Sequence, residues 1–84
     1  MVYQILLRKI VEKTLENLPK KDATKIALAI NSLQDDPFLG KRLEGELLGF
    51  YSLRVWPYRI IYEIKKKELI IFIIKIGHRK DIYK

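Results

Sequence analysis

Apolar residues recur at one spacing and then at another along this chain, and each spacing marks an element. Residues 2–7 form a short apolar run with Tyr3 and Ile5 in alternation, which predicts a strand. From about residue 8 to residue 18 the apolar positions are Val11, Leu15 and Leu18, spaced i, i+4, i+7 as on one stripe of a helix. Pro19 ends that stripe. Lys20, Lys21 and Asp22 connect it to a second helix reaching about Gln34, with Asp22 the expected N-cap. Ile26, Ala29, Ile30 and Leu33 fall on one face of this helix. Asp35-Asp36-Pro37 stops it, because a residue before proline avoids the helical region. Helices joined this closely form an antiparallel hairpin, and their stripes read as core, not as a cofactor surface.

Residues 38–49 read as a loop punctuated by Gly40, Gly45 and Gly49. The period then changes to two. Residues 51–63 crowd aromatic and β-branched side chains on either side of Trp56-Pro57, which predicts a β-hairpin. With those two residues as the loop, Val55 pairs with Tyr58 and Arg54 faces Arg59. Tyr51, Leu53, Val55, Tyr58, Ile60 and Tyr62 then share a core face, and Ser52, Arg54, Arg59, Ile61 and Glu63 share the other. Lys65-Lys66-Lys67 turns the chain again. Residues 68–76 are almost continuously apolar, so this strand belongs in the middle of a sheet. The length of the preceding turn leaves the face of Lys75 open, and Gly77 is expected to end the strand. The order is β-α-α-β-β-β, an α+β fold with a two-helix hairpin on one face of a small, mostly antiparallel sheet.

Composition narrows what such a fold is for. Eighty-four residues make one domain, spanning 1–84, and 49% hydrophobic content suffices for one core. There is no cysteine, so no disulfide and no thiolate metal site, and a single histidine argues against an all-protein zinc centre. Arg8 and Lys9 break the first apolar run, so no signal-peptide layout is expected, and no run reaches membrane-spanning length. The expectation is a soluble cytoplasmic protein. The net charge is +7, and its placement matters more than its size. Residues 1–49 hold eight Lys/Arg against seven Asp/Glu, whereas residues 50–84 hold nine against three. A basic surface gathered around the hairpin and tail points to a polyanion, nucleic acid first, with a merely solubilising edge as the alternative. Lys41 and Arg42, in the loop, could reach a phosphate, but surface solvation is the expected role of both.

Two guanidiniums opposite each other cost stability, so the Arg54/Arg59 face suggests a site for something anionic. No P-loop, paired-carboxylate site or glycine-rich nucleotide fingerprint is present. Arg54, Arg59, Arg79, His78 and Tyr83 are expected to converge there. Arginines stabilise charge on a phosphorane-like transition state without a metal, and a histidine or tyrosine can move a proton. Those are the needs of RNA cleavage by the 2′-hydroxyl. A phosphate-binding groove without chemistry fits the same residues. It is favoured by the terminal location of His78 and Tyr83, because chain ends often fray.

The element order, Leu53-Arg54-Val55 followed by Tyr58-Arg59-Ile60-Ile61-Tyr62, and the closing Gly77-His78-Arg79-Lys80-Asp81-Ile82-Tyr83 together resemble the RelE/ParE toxin superfamily, over nearly the whole chain. The short form is similar to archaeal and thermophile-type RelE toxins. The resemblance implies a ribosome-dependent mRNA endonuclease that needs no cofactor and cuts in the ribosomal A site with the 2′-hydroxyl as nucleophile. It also implies a cognate antitoxin that wraps the toxin in a hetero-oligomer. Arg54 then matches a basic residue of the second strand, and Arg59 the arginine of a tyrosine-arginine pair. Arg79 matches the arginine after the last strand, and Tyr83 the C-terminal tyrosine. RelE proteins often carry a lysine where this chain has Ser52, which leaves the general base unassigned, with His78 a candidate replacement. Ser52, Trp56, Lys75, Lys80 and Lys84 are the expected RNA contacts. The alternatives are a ParE-like toxin that poisons gyrase and cuts no RNA, and a non-catalytic RNA-binding module. The doubly apolar last strand also predicts an apolar strip beside the arginines, where an antitoxin segment with apolar anchors and acidic residues would lie.

Overall fold

Strand β1 (Gln4–Leu7) leads into helices α1 (Lys9–Asn17) and α2 (Lys20–Ser32) in a computed structural model that describes residues 2–78. The chain then forms strands β2 (Lys41–Arg42), β3 (Phe50–Val55), β4 (Tyr58–Lys65) and β5 (Ile70–His78). Leu18 takes an extended ψ of 153°, as a residue before proline prefers, and α1 stops there. The sheet order is β1-β5-β4-β3-β2, with β1 parallel to β5 and every other pair antiparallel. β5 is an interior strand, between β1 and β4, as its apolar run requires. The helices bring Val11, Ile26, Ile30 and Leu33 onto Val55, Ile60, Tyr62, Ile71, Ile73 and Ile76 of the sheet, all buried. Fully burying one such aliphatic side chain contributes roughly 1.5–3 kcal/mol, so this face carries the stability of the fold.

The hairpin has the expected register, Arg54↔Arg59 and Val55↔Tyr58, with a cis peptide between Trp56 and Pro57. Three local expectations need correction. The loop at residues 38–49 contains 3-10 turns at Pro37–Leu39 and Gly45–Leu47 and the two-residue strand β2, so a fifth strand joins the sheet edge. Backbone pairing of Lys41 with Ser52 and Arg42 with Tyr51 makes that strand, and two exposed side chains give no apolar period to signal it. The second helix begins at Lys20, directly after Pro19, and Asp22 is not its N-cap. The Asp22 carboxylate instead accepts from the Tyr58 hydroxyl at 2.8 Å. Gly77 does not end β5, because its backbone pairs with Arg59 and the strand continues to His78.

The register also settles a face that the sequence left open. The β4–β5 register shifts between Ile61, opposite Lys75, and Tyr62, opposite Ile73, so Ile74 is an extra residue on β5. This bulge keeps both Ile73 and Ile76 on the helix side although they are three residues apart. It also assigns Lys75, which alternation alone left open, to the face of Ile61.

Candidate functional site

Alternation along β3 and β4 sends Ser52, Arg54, Arg59, Ile61 and Glu63 to the face away from the helices. Cross-strand register arranges that face in rows. One row runs Lys41, Ser52, Ile61, Lys75 across β2, β3, β4 and β5, and another runs Arg54, Arg59, Gly77 across β3, β4 and β5. Ser52 and Ile61 are only 3% and 4% exposed, so basic side chains flank a buried centre. Arg54 is exposed and its guanidinium carbon lies 4.8 Å from the centre of the Trp56 ring, a cation–π contact. Trp56 itself is 49% exposed at the hairpin tip. On the same face toward β1, Leu6 stands opposite Phe72 and Gln4 opposite Ile70, and Leu6 is 42% exposed. An apolar strip therefore lies on the arginine face.

The start of α2 fixes the hairpin tip from the other side. Lys25 Nζ donates to the Trp56 carbonyl at 2.8 Å, and Tyr58 donates to Asp22. The hydrogen bond to the Asp22 carboxylate, aided by desolvation and by that negative charge, raises the pKa of Tyr58. The His78 ring meets Tyr58 edge-on, with centroids 6.2 Å apart and planes at 76°. His78 is the cross-strand partner of Tyr58, so it lies on the helix side of the sheet, opposite Arg54 and Arg59. The structure thus brings Arg54, Arg59, Ser52 and Lys75 to one face, with Trp56 against Arg54, and separates His78 from them. Arg79, Lys80, Tyr83 and Lys84 lie outside the described residues.

Sequence reasoning missed the lock that holds the β2 edge of the sheet. The Tyr62 hydroxyl donates to the Pro37 carbonyl at 2.7 Å and accepts from the Gly40 N–H at 3.0 Å. Burial pushes the Tyr62 pKa up to about 12; the Gly40 N–H opposes the rise, and Tyr51 and Asp36 add to it. A Cβ on Gly40 would stand 2.5 Å from that hydroxyl and 2.9 Å from the Ser52 carbonyl oxygen, so only glycine fits. This close approach seats β2 beside Ser52. The available signal was a tyrosine on a core face, whose hydroxyl must find a partner when buried.

Comparison with known proteins agrees with this architecture. The family model described as the ParE toxin of the type II toxin-antitoxin system, parDE, matches residues 5–83. Toxin RelG of Mycobacterium tuberculosis is 31% identical over 86 residues, covering 100% of this chain and 99% of that protein. A chain of the toxin-antitoxin complex RelBE2 from Mycobacterium tuberculosis has TM-score 0.86 at 27% identity, covering 94% of this chain and 100% of that one. A chain of the archaeal RelE-RelB complex from Pyrococcus horikoshii OT3 has TM-score 0.81 at 30% identity, covering 96% and 99%. With its five-stranded α+β fold and its arginine face, this chain belongs to the ParE toxin family of type II toxin-antitoxin systems, within the RelE/ParE superfamily.

Proposed function

We propose that this toxin is an endoribonuclease that cuts messenger RNA in the ribosomal A site. The observation that carries the reading is the opposed pair Arg54 and Arg59, set on the face that the helices do not cover. In the reaction a ribose 2′-hydroxyl attacks the adjacent phosphorus, and the bond to the 5′-oxygen of the next nucleotide breaks. Negative charge builds on the phosphorane-like centre, where two guanidiniums stabilise it without a metal. One proton leaves the 2′-hydroxyl and one reaches the departing 5′-oxygen. Arg79 and Tyr83 keep the roles that the superfamily resemblance implies, as transition-state cation and proton carrier. The register of His78, on the far side of the sheet, weighs against it as the base. Trp56 offers a stacking surface beside Arg54, and Lys75, Lys80 and Lys84 contribute phosphate contacts with the backbone around Ser52. The protein works in the cytoplasm, where translating ribosomes are.

A cognate antitoxin binds this chain in a hetero-oligomer and covers the same face. Apolar anchors sit on Leu6 and Phe72, and acidic residues meet Arg54 and Arg59. Antitoxin affinity unchanged by Arg54→Ala, Arg59→Ala and Leu6→Ala would refute that placement. The match to the ParE toxin model supports a second reading, a gyrase poison without nuclease activity. Toeprinting on translating ribosomes separates the two. New A-site cleavage products support the nuclease; intact message together with gyrase-mediated DNA breaks supports the poison.

A further inference from the structure

Lys41 and Arg42 are neighbours in sequence and read alike there, as loop cations that could both reach a phosphate but are expected to be solvated. The structure separates them. Lys41 is the cross-strand partner of Ser52, and Arg42 is the partner of Tyr51. Ser52 lies on the arginine face and Tyr51 packs toward the core on the other, so the two cations project to opposite sides of the sheet. Both are exposed. The Lys41 end of the row is held in place by the Gly40–Tyr62 lock one residue away. The other end is Lys75, three strand spacings distant, roughly 14 Å at about 4.8 Å per strand. Among the described residues, the row between them holds Ser52 and Ile61, both buried, and Arg54 and Arg59 stand in the neighbouring row.

We propose that Lys41 is a phosphate-binding residue of the RNA site and that Arg42 is not. Lys41 and Lys75 mark the two ends of a track on which the substrate backbone crosses the sheet beside Arg54 and Arg59. The competing account is edge protection, since lysines on edge strands discourage pairing with other chains. Edge protection is served equally by a cation on either face, so it predicts no difference between Lys41 and Arg42. The proposal rests on the RNA reading above, and its test is built to fail separately from it.

The test measures the salt dependence of binding to a 2′-O-methylated single-stranded RNA octamer and to programmed ribosomes. The proteins are wild type, Lys41→Gln, Lys41→Arg and Arg42→Gln, with thermal melts as a folding control. Each phosphate contact on a single strand contributes about 0.7 to the slope of log affinity against log salt. Lys41→Gln is expected to reduce the slope by about 0.7, Lys41→Arg to restore it, and Arg42→Gln to leave it unchanged. A wild-type slope near zero on both probes would sink the RNA reading and Lys41 with it. A steep wild-type slope that Lys41→Gln does not change, or that Lys41→Gln and Arg42→Gln reduce equally, would overturn the Lys41 assignment alone.

Discussion

The two faces of one sheet make the instructive comparison. On the helix side, Val55, Ile60, Tyr62, Ile71, Ile73 and Ile76 are buried against α1 and α2. On the other side, two strands further the same alternation with Arg54 facing Arg59, an arrangement that costs folding free energy. The strands are shared, so backbone geometry does not distinguish the faces; side-chain chemistry does. One face is selected for packing, and the other holds charges where a ligand, not the fold, compensates them.

The sharpest break of this comparison is a pair of substitutions one residue apart or nearly so, on opposite faces. Ile60→Ala should destabilise by about 2–5 kcal/mol, because it opens a cavity in a fully buried site, and a thermal melt reads this directly. Arg59→Ala should not destabilise the fold yet should lower single-turnover mRNA cleavage about a hundredfold to a thousandfold. If Arg59→Ala unfolded the protein, the division of labour between faces would be wrong.

Much of that division was legible from the residues. The hairpin register followed because Trp56-Pro57 stands between two arms rich in aromatic and β-branched residues, and the interior place of β5 followed from an apolar run with no polar face. Other features lacked a local signal. β2 exists through backbone pairing, which exposed Lys41 and Arg42 do not announce. The bulge at Ile74 interrupts alternation, so neither the face of Lys75 nor that of His78 could be counted from the sequence. Asp22 looked like a cap because its local context suited one, but a tertiary partner, Tyr58, takes its carboxylate. The tail at residues 79–84, which carries Arg79 and Tyr83, lies outside the described residues, so its part of the site rests on resemblance.

Tyr62 offers a subtler probe of the helix-side face. Tyr62→Phe leaves the Pro37 carbonyl and the Gly40 N–H without their partner and should cost about 1–3 kcal/mol. It should also change the response to alkali. The folded-state pKa, about 12, is above the ordinary tyrosine value, so the folded protein holds this proton after the unfolded chain has lost it. That contribution is complete below about pH 10 and is lost as pH rises toward 12, by up to about 1.4 kcal/mol per pH unit. Stability of the wild type should therefore fall more steeply than that of Tyr62→Phe across this window in chemical denaturation. Parallel curves would contradict the assignment of the raised pKa to Tyr62.

The smallest effect is the most diagnostic of the arginine face. Removing one of two like charges directly across a strand pair should stabilise the fold, by about 0.2–1 kcal/mol. The central claim is that Arg54 and Arg59 serve a ligand at the expense of the fold. The measurement that tests it most directly is single-turnover mRNA cleavage on programmed ribosomes by Arg54→Gln with Arg59→Gln, paired with the melting temperature of the same protein. The account predicts cleavage reduced at least about a hundredfold together with a melting temperature equal to or above that of the wild type. Undiminished cleavage, or lost cleavage with a lowered melting temperature, would contradict it.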